Sequence, residues 1–134
     1  MTYYKIWQTW DKKVIGVTDG SVQAEIVESK WKNKKELRRY IDEYILGVHK
    51  TLQRLENGED VAPPAFEYIK VRPKAILTDF LSFSEGYNGG RFLISGKVKK
   101  LLEKYNVRCR IYPNIPLFNF ERKVEGYSNL HLLP

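Results

Sequence analysis

The sequence predicts a single α+β domain spanning 1–134, a mainly antiparallel sheet with one long and one short helix packed on it. Three observations carry this. Residues 33–57 place Leu37, Tyr40, Ile41, Tyr44, Ile45, Val48, Leu52 and Leu55 at the spacing of one apolar helical stripe. Residues 91–113, RFLISGKVKKLLEKYNVRCRIYP, pass from a short apolar run through a helix into an alternating strand. Elsewhere, β-branched and aromatic runs are punctuated by Asp-Gly, Pro and Gly. With 134 residues, 43% hydrophobic and 13% aromatic, the chain has enough apolar material for one core.

Taken in order, residues 3–7 form a β-type run and Trp10-Asp11-Lys12-Lys13 reads as the turn after it. Residues 14–18 and 22–27, separated by Asp19-Gly20-Ser21, predict a hairpin, because Asp-Gly tolerates positive φ. Gly16 marks either a bulge or a close contact. The long helix opens on Asn33, with Glu36 three residues later as in a capping box, and stops at Asn57-Gly58. Gly47 inside it is either a close approach to the sheet or a tolerated glycine. Residues 59–64, with Pro63-Pro64, form an extended connector, and residues 66–71 a strand that Pro73 ends. Residues 77–91, LTDFLSFSEGYNGGR, lack a period and hold three glycines, which makes them the best candidate for a functional loop. The short helix carries Val98, Leu101, Leu102 and Tyr105 on its apolar stripe, with Ser95 as N-cap and Asn106 as its end. In the strand after it, Val107, Cys109 and Ile111 face inward, and Arg108, Arg110 and Tyr112 face outward. Residues 114–117 form a turn region. Gly126 leads into a final strand over residues 127–132.

The formal charge of +7 makes nucleic acid, an anionic membrane surface or an acidic protein the candidate partners. No apolar run approaches the roughly 20 residues of a membrane span, and the N-terminus MTYYKIWQTWDKK lacks the order of a signal peptide, so a cytoplasmic protein without membrane contact is expected. Cys109 is the only cysteine, which leaves no internal disulfide and no cysteine-based zinc site, and its inward strand position makes it a structural thiol. His49 and His131 share no ligand spacing, so neither a metal nor any other cofactor is expected. No serine sits in a nucleophile-elbow context. Asp79 and Glu85 flank the loop as paired catalytic acids would, but a turn aspartate and a solvated glutamate account for them more simply. Asn88-Gly89-Gly90-Arg91 matches no phosphate-binding fingerprint and reads as a turn. An enzyme is not expected. The residues most suited to binding are Lys97, Lys100 and Lys104 on the short helix, Arg108, Arg110 and Tyr112 on the strand, and Tyr87 and Arg91 beside them. If helix and strand pack side by side, these charges converge into a groove for nucleic acid, though no RNP, KH or helix-turn-helix signature accompanies them.

TDFLSF, then GGRFLISGKVKKLLEKYNVRCRIYP, then EGYSNLHLL resembles a bacterial family of immunity proteins from polymorphic toxin systems. The counterparts of the family pattern are Asp79-Phe80-Leu81, residues 92–102, residues 108–113 and residues 127–132, and residues 3–6 and 14–20 resemble its opening strands. The resemblance implies a non-enzymatic protein that binds one cognate toxin and blocks it in the cytoplasm of the producing cell. No catalytic residue transfers. The alternative is a nucleic-acid-binding module that uses the basic helix–strand surface.

Overall fold

The computed structural model describes residues 11–17, 22–83 and 91–133. It bears out the α+β class, with helices packed against two four-stranded sheets rather than one. In the first sheet, β1 (Ala24–Ile26), β2 (Ile69–Val71), β6 (Leu117–Asn119) and β7 (Arg122–Val124) lie in the order β1-β2-β6-β7, all neighbours antiparallel except β2 and β6. The second is wholly antiparallel, with β3 (Phe80–Ser82), β4 (Arg91–Ile94), β5 (Cys109–Tyr112) and β8 (Ser128–Leu132) in the order β3-β4-β8-β5.

A single bridge from Ala24 to Phe83 joins the two sheets, and Gln23 reinforces it. Gln23 is fully buried, a costly place for an amide unless each polar atom finds a partner. Its Nε2 donates to Ile76 O at 2.7 Å and Thr78 Oγ1 at 3.0 Å, and its Oε1 accepts from Ser82 N at 3.0 Å and Ser82 Oγ at 3.1 Å. Its backbone N–H donates to Ser82 Oγ, and its backbone O accepts from Arg72 N. One side chain thus ties β1, β3 and the segment between β2 and β3 together.

The expected hairpin over residues 14–27 is not formed. Lys12–Ile15 is a helical turn, α1, because Asp11 Oδ1 caps Lys13 N at 3.0 Å and Gly16 closes the turn at φ 81°. A Cβ on Gly16 would fall 2.1 Å from Lys74 O, so the close contact, not a bulge, explains this glycine. The strand that follows pairs with β2 instead. The runs at residues 3–7 and the Asp19-Gly20-Ser21 turn lie outside the described residues.

The long helix exists but is not uniform: α2 (Lys34–Tyr40), a π-helical segment (Ile41–Leu46) and α3 (Val48–Glu56) follow one another. Asn33 Oδ1 accepts from Glu36 N as expected, but the reciprocal partner of Asn33 N is Glu67 Oε2 at 2.9 Å, and Glu36 pairs with Arg39 instead. Arg39 also holds Glu43, Ala62 O and Pro63 O, which pins the proline connector to the helix. Gly47 serves the helix itself rather than the sheet. Its N–H donates to Asp42 O at 2.9 Å across the wide turn, and a Cβ there would sit 2.7 Å from that same oxygen. Buried Thr51 donates its hydroxyl to Glu43 O at 2.7 Å and so satisfies a carbonyl of the π segment. In an ordinary helix Gly→Ala stabilises. Here the Gly47→Ala substitution is expected to destabilise by about 2 kcal/mol, read by urea denaturation, because the methyl group displaces the π turn. A gain in stability would show that the segment relaxes to an α-helix.

The core gathers Tyr40 and Tyr44 from this helix against Ile69, Val71 and Leu117 of the first sheet and Leu81 and Leu93 of the second. On the other side of the second sheet, α4 (Gly96–Lys104) lays Val98 and Leu102 over Ile94, Leu130, Cys109 and Ile111. The second sheet is therefore sandwiched between α4 and the long helix. Residues 77–91, expected as a loop, contain β3 and the start of β4; of the rest, residues 84–90 lie outside the described set. The end of the chain supplies two strands, β7 and β8, rather than one, with Phe120 in the left-handed region at the β6–β7 turn.

Candidate functional site

α4 is fixed at its start by three contacts. Ser95 Oγ caps Val98 N, the Ser95 hydroxyl donates to Asp79 Oδ1 at 2.7 Å, and Ser95 N donates to Asp79 O at 2.9 Å. Asp79, the acid of the Asp-Phe-Leu run, thus sets the entry of α4 against β3.

The sequence stripe assigns four apolar residues of this region to the core, and the structure takes in two. Val98 is buried and Leu102 half-buried, whereas Leu101 is 47% and Tyr105 69% exposed. Val98 and Leu102, four residues apart, suffice to cover Ile94 and Leu130 in a nine-residue helix, and Leu101 is turned away. Val107, expected inward, is 40% exposed as well. Cys109 and Ile111 are half-buried against α4, and burial pushes the Cys109 thiol up, which keeps it protonated and poorly nucleophilic.

Lys97, Lys100 and Lys104 are all exposed and share the outward stripe with Leu101 and Tyr105. Lys104 Nζ stands 5.4 Å from the Tyr105 ring centroid. The local acid is Glu103, 3.9 Å from Lys99, so the three stripe lysines keep their charge for a partner. A signal for this face was in the sequence: Leu101 has Lys97 at i−4 and Lys104 at i+3 as its helical neighbours, which puts the leucine at the edge of the cationic side.

Of the remaining candidates, Arg108, Arg110 and Tyr112 do not join that stripe. Arg108 is exposed but places Nη2 2.6 Å from Glu56 Oε1 of α3, on the far side of the sheet from α4. Arg110 is exposed and, by strand alternation, faces away from the α4 side that Cys109 and Ile111 occupy. The expected convergence of helix lysines and strand arginines therefore does not occur. Tyr112 is half-buried, its ring 5.6 Å from that of His131 at 73°. Arg91 opens β4 opposite His131, with its side chain outside the described residues, as is Tyr87.

A second polar group, inside the molecule, surrounds His131. The ring is fully buried, with Nε2 2.6 Å from Asn129 Oδ1, and meets Tyr44 edge-on at 5.2 Å. The Tyr44 hydroxyl donates to Ala62 O at 2.9 Å. Burial and the neighbouring Tyr112 hydroxyl push Tyr44 well above the usual tyrosine range, and burial raises Tyr127 too. A tyrosine whose folded pKa is raised contributes stability that is complete below the unfolded pKa, about 10, and is lost as pH climbs above it. Stability measured by chemical denaturation is expected to hold to about pH 9 and to fall from about pH 10, with a shallower fall in Tyr44→Phe; an unchanged slope in that variant would remove Tyr44 as the cause.

Among the described residues no three His, Cys, Asp or Glu side chains gather as metal ligands, and no helix is long and apolar enough to cross a membrane. No protein-family model, no curated protein and no solved structure matches this chain.

Proposed function

We propose that this chain is an immunity-type protein that binds a cognate bacterial toxin in the cytoplasm of the producing cell and neutralises it through the outward face of α4. The observation that carries the reading is the exposure of Leu101 and Tyr105 alongside Lys97, Lys100 and Lys104. An aliphatic side chain flanked by cations complements an apolar pocket edged with carboxylates, where burial of the leucine supplies binding energy and the charges supply specificity. A nucleic acid offers phosphates to the lysines but no socket for a leucine. That competing reading also finds Arg108, beside Glu56, and Arg110 on the side of the sheet away from α4 rather than beside the helix lysines. The resemblance of residues 79–81, 92–102, 108–113 and 127–132 to immunity proteins points the same way and requires no catalytic group.

The experiment is co-expression with the product of the adjacent gene in its genome. Protection of growth, together with a purified one-to-one complex, supports the reading. Unprotected growth with both proteins present and folded would end it.

A further inference from the structure

The outer face of the first sheet carries a stacked aromatic pair among lysines, well away from α4. Ile69, Leu117 and Val124 turn into the core, and alternation sends Lys70, Phe118 and Lys123 the other way. These three are direct cross-strand neighbours, Lys70 with Phe118 and Phe118 with Lys123. Tyr68, two residues before Lys70, stacks on Phe118 with ring centroids 4.7 Å apart and planes 10° from parallel. Lys30 Nζ lies 5.9 Å from the Tyr68 centroid. Two acids adjoin the group, Glu25 opposite Lys70 and Glu125 at 4.0 Å from Lys123. Both rings are half-buried and each gives one face to the other, so the outer side of the stacked pair is what a base can meet.

The geometry points to a binding site for single-stranded nucleic acid on this face, with Tyr68 and Phe118 as the stacking platform and Lys30, Lys70 and Lys123 as phosphate contacts. The cross-strand row Glu25, Lys70, Phe118, Lys123 contains no aliphatic side chain, in contrast to α4 with its Leu101. Aromatic rings flanked by cations receive a base and its flanking phosphates, and do so without sequence preference because every base has a π-face. A duplex keeps its bases stacked on each other and withholds those faces, so a single strand is the form that fits. The inference is independent of toxin binding and uses different residues.

The test is fluorescence anisotropy of the full chain with labelled oligo-dT and oligo-rU of about 12 nucleotides. Three phosphate contacts on a single strand give a log–log salt slope of about −2, so affinity is expected to fall roughly fifteenfold between about 50 and 200 mM salt. Tyr68→Leu is expected to weaken binding about tenfold. The double surface variant Lys70→Gln with Lys123→Gln, which touches no core residue, is expected to weaken binding and flatten the slope by about 1.4, and it keeps the test decisive if Tyr68→Leu fails to fold. The variant Lys97→Gln, Lys100→Gln, Lys104→Gln is expected to bind as the parent does. Absence of binding at low salt would overturn the proposal. So would loss of binding in the α4 variant with retention in the sheet variants.

Discussion

Replacing Gln23 with leucine is expected to lower the free energy of unfolding by about 3 kcal/mol and the thermal midpoint by roughly 10 °C. Leucine occupies similar volume, so the loss comes from hydrogen bonds and not from a cavity. It strands the buried Ser82 N–H in the seam between the sheets and removes the amide donor from the part-buried Ile76 carbonyl. A buried polar group left without a partner costs about 1–3 kcal/mol, and the loss of the bonds to Ile76 O, Thr78 Oγ1 and Ser82 Oγ adds to it. Circular dichroism melts and urea titrations read the effect. A loss below about 1 kcal/mol would mean that the Ala24–Phe83 bridge holds the sheets together without the side chain.

Reversing charge at Lys97, Lys100 and Lys104, each to glutamate, is expected to abolish neutralisation while leaving the melting curve within a few degrees of the parent. All three side chains point to water, where substitutions change stability by about 0.5 kcal/mol or less. Their effect on a partner is larger. Steering charges set the association rate, and reversal turns attraction toward a carboxylate-edged pocket into repulsion, slowing association by at least about tenfold. Leu101→Ala and Tyr105→Ala act differently, since buried anchors govern dissociation, and each is expected to cost on the order of 2 kcal/mol of binding. Surface plasmon resonance against the co-purified toxin separates the two effects. Equal neutralisation by the charge-reversed variant would move the binding face away from α4, and a large loss of stability would show that the lysines serve the fold.

The elements most legible in the sequence were those whose signals are local. The N-caps at Asn33 and Ser95 are where the side chains suggested, because a cap is satisfied by a backbone N–H two or three residues away. The long apolar stripe of residues 37–55 does bury Leu37, Tyr40, Tyr44, Val48, Leu52 and Leu55. The misread segments failed for one reason each. Val14 and Ile15 open a β-rich run but lie between the capping Asp11 and Gly16 in the left-handed region, and those two ends make a helical turn. In α4, periodicity gave the angle of Leu101 and Tyr105 on the helix but not the width of the sheet beneath them. Two contact residues filled that width.

By itself, then, the sequence determined the α+β class, the caps of the long and short helices, the buried stripe of the long one, the inward placement of Cys109 and Ile111 and the exposure of Lys97, Lys100 and Lys104, since each depends on residues within a turn or two of one another. Only the tertiary structure decided the rest. It divided the strands between two sheets sealed by Gln23, drew Arg108 to Glu56, put Arg110 on the side away from α4, and stacked Tyr68 on Phe118. Each of these joins residues distant in the chain, and strand pairing, which sets face and neighbour together, is fixed by packing that no local spacing encodes.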